Sequence, residues 1–177
     1  MKERLITAAA FLVLVSVLAA AQADDLSAQQ AALKKIDYLV GEWRTLSTFV
    51  ATGVEAPGYL VYRWILGGNW IHCEFHGQAP GRDYWEAYAM ISFDLASGKY
   101  RSYAFFGGNA PASYTGVWNG VDTVTFTTDE PDARGRLNRI SYKRMPDDTV
   151  FQLNEMTDEG GEWVPTLKTN YKHAPAR

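Results

Sequence analysis

Between Trp43 and Tyr171 the chain runs through about ten short segments in which aromatic or β-branched residues alternate with polar ones. Each segment ends in Gly, Pro, Asn or Asp, which is typical of antiparallel strands joined by tight turns. Because alternate residues of a strand point to opposite faces, so many strands can bury their apolar faces by curling the sheet on itself. The pattern therefore predicts an all-β fold, an antiparallel up-and-down β-barrel of about 8–10 strands.

One helix is predicted ahead of the strands. Ser27 and Gln30 have the spacing of a capping box, in which both side chains bind backbone N–H groups at the start of a helix. Leu33 and Ile36 follow at helical spacing. These residues predict a short amphipathic helix from Ser27 to Tyr38. Because its apolar stripe has to be covered, we expect this helix to lie across one open end of the barrel.

Three hairpin turns can be predicted from their residues. Asn119 and Gly120 stand between two strand-like segments, and Asn-Gly supplies the two positive φ angles of a type I′ turn. Residues 94–99, with Gly98 late in the segment, suit a longer hairpin loop. Met145–Asp148 carries proline at the second turn position.

The first residues have the pattern of an export signal. Lys2 and Arg4 precede an apolar run from Leu5 to Leu18, and Ala21-Gln22-Ala23 is a small-x-small cleavage site. The apolar run is short for a membrane span. We therefore expect a signal peptide over residues 1–23, cleaved after Ala23, and a periplasmic or secreted protein with no membrane span after cleavage.

The mature chain, residues 24–177, has the size of one domain. Loss of Lys2, Arg4 and Glu3 from the 17 basic and 20 acidic side chains leaves 15 and 19, a net charge of −4 with histidine neutral. That balance argues against a nucleic-acid partner. The single cysteine, Cys73, is expected to be a small buried apolar residue rather than a reactive thiol.

Four short motifs of the mature chain resemble those of a known family. In chain order they are LVGEW at 39–43, WILGGNWI at 64–71, ISFD at 91–94 with GKY at 98–100, and GVWNG at 116–120. Together they resemble the lipocalin-like domain of unknown function found in many secreted bacterial proteins, within the wider calycin group. The resemblance covers nearly the whole mature chain. It implies the barrel fold and leaves the function open.

Gly41 and Trp43 match the Gly-x-Trp that begins the first strand of lipocalins. Their structural role can be argued from the residues alone: glycine permits a tight turn from helix into strand, and the tryptophan is large enough to close the barrel base while its indole N–H binds a carbonyl. The lipocalin resemblance further implies that a basic side chain of the last strand, Lys172 or Lys168, covers the indole.

The haem-binding calycin branch nitrobindin extends this motif to Gly-x-Trp-x-Gly-x-Gly. In this chain Thr45 and Ser47 stand at the two later glycine positions. The absence of glycine at these two positions argues against a nitrobindin-like haem site.

The candidate ligand-binding residues come from one strand and from scattered aromatics. His72, Glu74 and His76 are two residues apart and so project from one face, with neighbours about 7 Å apart along the strand. One pair could bind a metal ion, whereas the two histidines, about 13 Å apart, are too distant to share one. The expected lining of the site adds three rings, Tyr88, Tyr103 and Trp118.

Three functions follow from these residues: a leading one and two alternatives. The first is a lipocalin-like barrel that binds a small, largely apolar molecule and needs no cofactor. The second is a haem- or metal-dependent activity at His72, Glu74 or His76. The third is an interaction module with a filled core. The sequence contains no Gly-x-Ser-x-Gly or activated-cysteine pattern, so no catalytic residue is predicted.

Overall fold

The computed structural model of the chain describes residues 25–79, 81–107 and 110–175. The predicted signal peptide lies outside these residues. Within them, ten antiparallel strands form one closed barrel, each paired with its neighbours along the chain and the first paired with the last, which confirms the predicted fold. The strands are β1 (Gly41–Phe49), β2 (Glu55–Ile65), β3 (Trp70–Ala79), β4 (Arg82–Asp94), β5 (Lys99–Phe106), β6 (Ala112–Trp118), β7 (Thr123–Thr128), β8 (Asn138–Arg144), β9 (Val150–Thr157) and β10 (Trp163–His173).

Closure of the barrel depends on the pairing of β1 with β10. Seven residue pairs form this contact, from Trp43 opposite His173 to Phe49 opposite Leu167. The register of β10 against β9 shifts between Pro165 and Leu167, a place where a residue without an N–H group is tolerated. Closure gives both outer strands of the meander a hydrogen-bonding partner.

Burial along β1 shows which residues face the interior. Trp43, Thr45 and Ser47 are buried, whereas Arg44 and Leu46 between them are exposed. Because strand residues alternate between faces, the odd-numbered positions of β1 point into the lumen. The two positions at which nitrobindins carry glycine are therefore polar lumen positions here.

A helix, α1 (residues 25–34), lies across one end of the barrel and is followed by a 3₁₀ turn at Asp37–Leu39. Leu33 and Ile36 are fully buried and share one hydrophobic core with side chains of the barrel strands. The expected covering of one barrel end is confirmed, although the regular helix ends at residue 34 rather than at Tyr38. Among the described residues, no helix combines the length and apolar character needed to cross a membrane.

Two glutamine side chains attach α1 to the barrel rim. Gln29 Nε2 donates to Ser92 Oγ at 2.7 Å, and Gln30 Nε2 donates to the Gly67 carbonyl at 2.8 Å in the 3₁₀ turn (Leu66–Gly68) between β2 and β3. Ser27 lies inside α1 and not at its start. The predicted capping box is therefore wrong, because the Gln30 amide is used to bind the rim.

Trp43 closes the barrel base beneath α1. Its side chain is 1% exposed, and its Nε1 donates to the Leu39 carbonyl at 2.8 Å. Gly41 has a φ of +150°, a conformation that favours glycine, at the point where the 3₁₀ turn passes into β1. Both structural roles predicted for Gly-x-Trp are confirmed.

The residue that covers the Trp43 indole is His173. The two rings stack with their centroids 4.0 Å apart. Lys168 and Lys172 are exposed and alternate with the buried Thr169 and Tyr171, so they point away from the indole. The prediction that Lys168 or Lys172 covers the indole is wrong, because strand alternation places both lysines on the outside of the barrel.

The turn at Asn119 differs from its prediction. β6 ends at Trp118 and β7 begins at Thr123, so the loop has four residues, and only Gly120 of the Asn-Gly pair has a positive φ, 102°. Asn119 Oδ1 accepts a hydrogen bond from the Thr123 N–H at 3.2 Å. The prediction of a type I′ turn is wrong, because the Asn119 side chain bridges a wider loop of four residues.

The other two predicted turns are confirmed. Between β4 and β5, the N–H of Gly98, whose φ is +66°, donates to the Asp94 carbonyl at 2.9 Å. Between β8 and β9, the Asp148 N–H donates to the Met145 carbonyl at 3.1 Å.

Replacement of Trp43 by alanine tests the importance of the barrel base. We expect Trp43→Ala to lower the free energy of unfolding by about 3–5 kcal/mol, because it removes a large buried ring and leaves a cavity. Denaturant titration gives the value, with Val121→Ala as control, since Val121 is 83% exposed. The control should change stability by less than about 0.5 kcal/mol. Equal small losses in both variants would contradict the role of Trp43.

Candidate functional site

The structure places the three predicted site residues of β3 on the outside of the barrel. Ile71 and Cys73 are buried in the core, and by strand alternation His72, Glu74 and His76 project outward. They do not line the internal cavity. This corrects their expected position: their side chains cannot orient a molecule held in the lumen.

On the outer surface the imidazole of His76 lies between acidic and phenolic neighbours. Its Nε2 is 2.8 Å from Glu74 Oε1, and its Nδ1 is 2.9 Å from the Tyr84 hydroxyl, which donates to Glu86 Oε2 at 2.9 Å. The hydrogen bond from His76 lowers the pKa of the Glu74 carboxyl. Among the described residues, no group of three or more His, Cys, Asp or Glu side chains has an arrangement that could hold a metal ion.

The three predicted lining rings are dispersed. Tyr88 borders the cavity, but its ring packs on His72 with centroids 6.2 Å apart. Tyr103 is 40% exposed on the outer surface. Trp118 lies at the closed end, where its ring centroid is 6.3 Å from that of Tyr38. The structure does not bring these rings together in one site.

Inside the barrel is a cavity of about 360 Å³. This volume equals that of roughly a dozen molecules of liquid water, and sites for small molecules span about 300–1,000 Å³. The barrel core is thus not filled, contrary to the third function considered from the sequence.

Small side chains leave this space open. Cys73, Ala89 and Ala104 stand opposite one another on β3, β4 and β5, and all three line the cavity. Beside them, a Cβ atom at Gly77 would lie 2.5 Å from Cζ of Phe75. Glycine at this position lets the Phe75 ring lie flat against the barrel wall.

Aromatic rings form one wall of the cavity. The centroid of Trp85 lies 5.4 Å from that of Phe75 and 6.1 Å from that of Phe106, and its ring is within 5° of parallel to Phe106. All three come from the adjacent strands β3, β4 and β5, towards the end of the barrel opposite α1. We call Phe75, Trp85 and Phe106 the aromatic wall.

The opposite wall is polar. It comes from four consecutive strands of the barrel, in the spatial order β1, β10, β9 and β8. Ser47 Oγ and Thr169 Oγ1 are 2.9 Å apart, and Gln152 Nε2 donates to Asn154 Oδ1 at 2.5 Å. We call the following cavity residues the polar wall: Thr45, Ser47, Asn138, Gln152, Asn154 and Thr169.

Two buried oxygen atoms of the polar wall, Thr45 Oγ1 and Asn138 Oδ1, have no hydrogen bond within the described part of the chain. Buried polar atoms in native proteins are nearly always hydrogen-bonded. These two oxygens therefore mark places where a further molecule can donate a hydrogen bond.

Phenol groups lie deepest in the cavity, near the base. Burial raises the pKa of Tyr62, Tyr142 and Tyr171 far above the ordinary phenol value. Burial likewise raises the pKa of the Cys73 thiol to about 12, as expected of a structural cysteine. The Tyr171 hydroxyl donates to Gln152 Oε1 and so joins the polar wall to the base. All four groups are uncharged at neutral pH.

Sequence reasoning missed the polar wall. For β1 a signal was present: once Trp43 is assigned to the lumen, alternation assigns Thr45 and Ser47 to it as well. For Asn138 a signal was also present, because Ile140 and Tyr142 share its face while Arg139 and Lys143 take the other. For Asn154 no such signal exists, because the apolar Phe151 and Leu153 lie on the opposite face of β9.

Comparison with known proteins gives one family and two similar folds. The model of a family described as protein of unknown function (DUF1579) matches residues 28–173. No curated protein matches the chain. Similar solved structures include a de novo designed fluorescence-activating β-barrel, at 14% identity and a TM-score of 0.40, with 78% of this chain and 95% of that chain covered. A redesigned β-barrel has 9% identity and a TM-score of 0.43, with 78% and 93% covered.

Proposed function

This chain belongs to the family described as protein of unknown function DUF1579, and we propose that it binds a small, largely apolar molecule inside its barrel. The observation that carries this proposal is the internal cavity of about 360 Å³, bordered by the aromatic wall. The lipocalin-like motifs of the sequence support the same function, since they imply a barrel of the calycin kind.

Burial of apolar surface supplies the binding energy. A molecule that loses about 200 Å² of apolar surface gains about 5 kcal/mol at 25 cal/mol per Å², before the loss of its translational and rotational freedom. The aromatic wall offers such surface through Phe75, Trp85 and Phe106. The molecule enters at the end of the barrel opposite α1, because Leu33, Ile36 and Trp43 fill the other end.

A haem- or metal-dependent activity has no comparable support. Its candidate residues His72, Glu74 and His76 lie outside the cavity. The two ring nitrogens of His76 are within 2.9 Å of protein oxygens, which leaves neither free for a metal ion.

Export of the protein is part of the same proposal. Its support is the basic and apolar start of the chain and the Ala21-Gln22-Ala23 sequence. Expression of residues 1–177 in a bacterial host, followed by the intact mass of the periplasmic protein, tests it. We expect the mass of residues 24–177. A cytoplasmic protein that retains residues 1–23 would contradict export.

Binding in the lumen can be tested with the neutral dye N-phenyl-1-naphthylamine, whose fluorescence rises in apolar surroundings. We expect one dye molecule to bind per chain. Ala89→Phe and Ala104→Phe should each weaken binding at least tenfold, because both add a ring where small side chains line the cavity. Fluorescence titration gives the affinities, and circular dichroism verifies that each variant is folded.

The matched control is Ala96→Phe, which adds the same ring to the exposed turn between β4 and β5. This variant should bind the dye like the original protein. Absence of dye binding to the original protein, or undiminished binding to a folded Ala89→Phe or Ala104→Phe variant, would show that the lumen is not the binding site.

A further inference from the structure

The part of the lumen lining that the structure describes is electrically neutral. Of the side chains that the structure describes, those lining the cavity carry no charge: they are aliphatic, aromatic, hydroxyl, thiol or amide groups. The phenols and the thiol at the base are protonated at neutral pH, and burial raises the pKa of each further. An ionic group brought into this space would lose its hydration without gaining a counter-ion.

The hydrogen-bonding capacity of the polar wall is only partly used. Asn154 accepts from Gln152, and Gln152 accepts from Tyr171, so these amides are held in fixed orientations. Thr45 Oγ1 and Asn138 Oδ1 have no such partner among the residues that the structure describes. The wall therefore presents oriented polar groups and two buried oxygens that can accept a hydrogen bond.

One of these oxygens lies close to the aromatic wall. A Cβ atom at Gly58 would be 2.6 Å from Thr45 Oγ1 and 2.7 Å from Cε2 of Phe75. Because Gly58 has no side chain, the Thr45 hydroxyl can lie beside the edge of the Phe75 ring. A molecule that packs on Phe75 has the Thr45 oxygen within reach of its own polar group.

We propose that the cavity selects an uncharged amphipathic molecule that has a flat apolar body and a hydroxyl or N–H group. The body packs on Phe75, Trp85 and Phe106. The hydroxyl or N–H group donates to an unpaired oxygen of the polar wall, Thr45 Oγ1 or Asn138 Oδ1. This inference rests on the proposed binding function and adds to it the charge and the polar chemistry of the ligand.

Three naphthalene derivatives of similar size test the two proposed ligand features, absence of charge and the ability to donate a hydrogen bond. At pH 7, 2-naphthol is neutral and can donate a hydrogen bond, 2-methoxynaphthalene is neutral and cannot, and 2-naphthoate is charged. Displacement of N-phenyl-1-naphthylamine measures their affinities. We expect 2-naphthol to bind at least tenfold more tightly than 2-methoxynaphthalene and at least 100-fold more tightly than 2-naphthoate.

A double variant tests which atoms accept the hydrogen bond. Thr45→Val with Asn138→Leu removes both unpaired oxygens while it nearly preserves side-chain size, and should reduce the preference for 2-naphthol over 2-methoxynaphthalene to less than threefold. Because both changes remove unpaired buried oxygens, the variant should remain folded. The control is Thr48→Val, at an outward position of the same strand, which should keep the full preference.

The outcomes separate this inference from the function on which it rests. Equal binding of 2-naphthoate and 2-naphthol, equal binding of the two neutral naphthalenes, or an unchanged preference in the double variant would overturn the inference while the lumen remained a binding site. If the dye binds but none of the three naphthalene derivatives displaces it, the inference is likewise overturned while the lumen remains a binding site. Failure of the dye itself to bind would overturn the function.

Discussion

The hydrogen-bonded pairing of β1 with β10 is the constraint on which the rest of the structure depends. It converts a meander of ten strands into a closed wall and separates an inside from an outside. Trp43 and His173 form the first pair of this contact, and their stacked rings lie at the base, below the helix that covers that end. Without the pairing, the aromatic wall and the polar wall would belong to one open sheet and would not face each other.

The lumen carries features that reduce folding stability. A cavity forgoes packing contacts, and an unpaired buried oxygen loses its hydration without replacement. Thr45 and Asn138 together with the small residues Cys73, Ala89 and Ala104 introduce both costs at one place. Departures from good packing and full hydrogen bonding are expected at functional sites. This concentration inside the barrel, and not the histidines outside it, is the reason for placing function in the lumen.

Most of the fold could be predicted from the sequence because strand alternation and turn residues are local signals. The helix over one end and the Gly41-x-Trp43 base followed from the same kind of argument. The capping box at Ser27 was wrong because the Gln30 amide donates instead to the Gly67 carbonyl, 37 residues away. The type I′ turn at Asn119 was wrong because the Asn119 side chain bridges a wider, four-residue loop.

The candidate site was less predictable. His72, Glu74 and His76 were correctly placed on one face of a strand, but the wrong face was assigned to the site, because Ile71, Cys73 and Phe75 mark the opposite face as the apolar one. Packing across the barrel follows that alternation, with Cys73 and Phe75 in the lumen. The contact of Phe75 with Gly58 and Gly77 brings together three positions on two strands. No single segment of the sequence carries that information.

Residue-resolved hydrogen exchange along β1 tests the closure of the barrel most directly. Alternate amides of an antiparallel strand point to its two neighbours, so in a closed barrel one set of β1 amides binds β2 and the other binds β10. The account predicts that both sets between Trp43 and Phe49 are protected from exchange. Protection of the set that faces β2, with rapid exchange of the set assigned to β10, would show that β1 is an edge strand and would contradict the closed barrel.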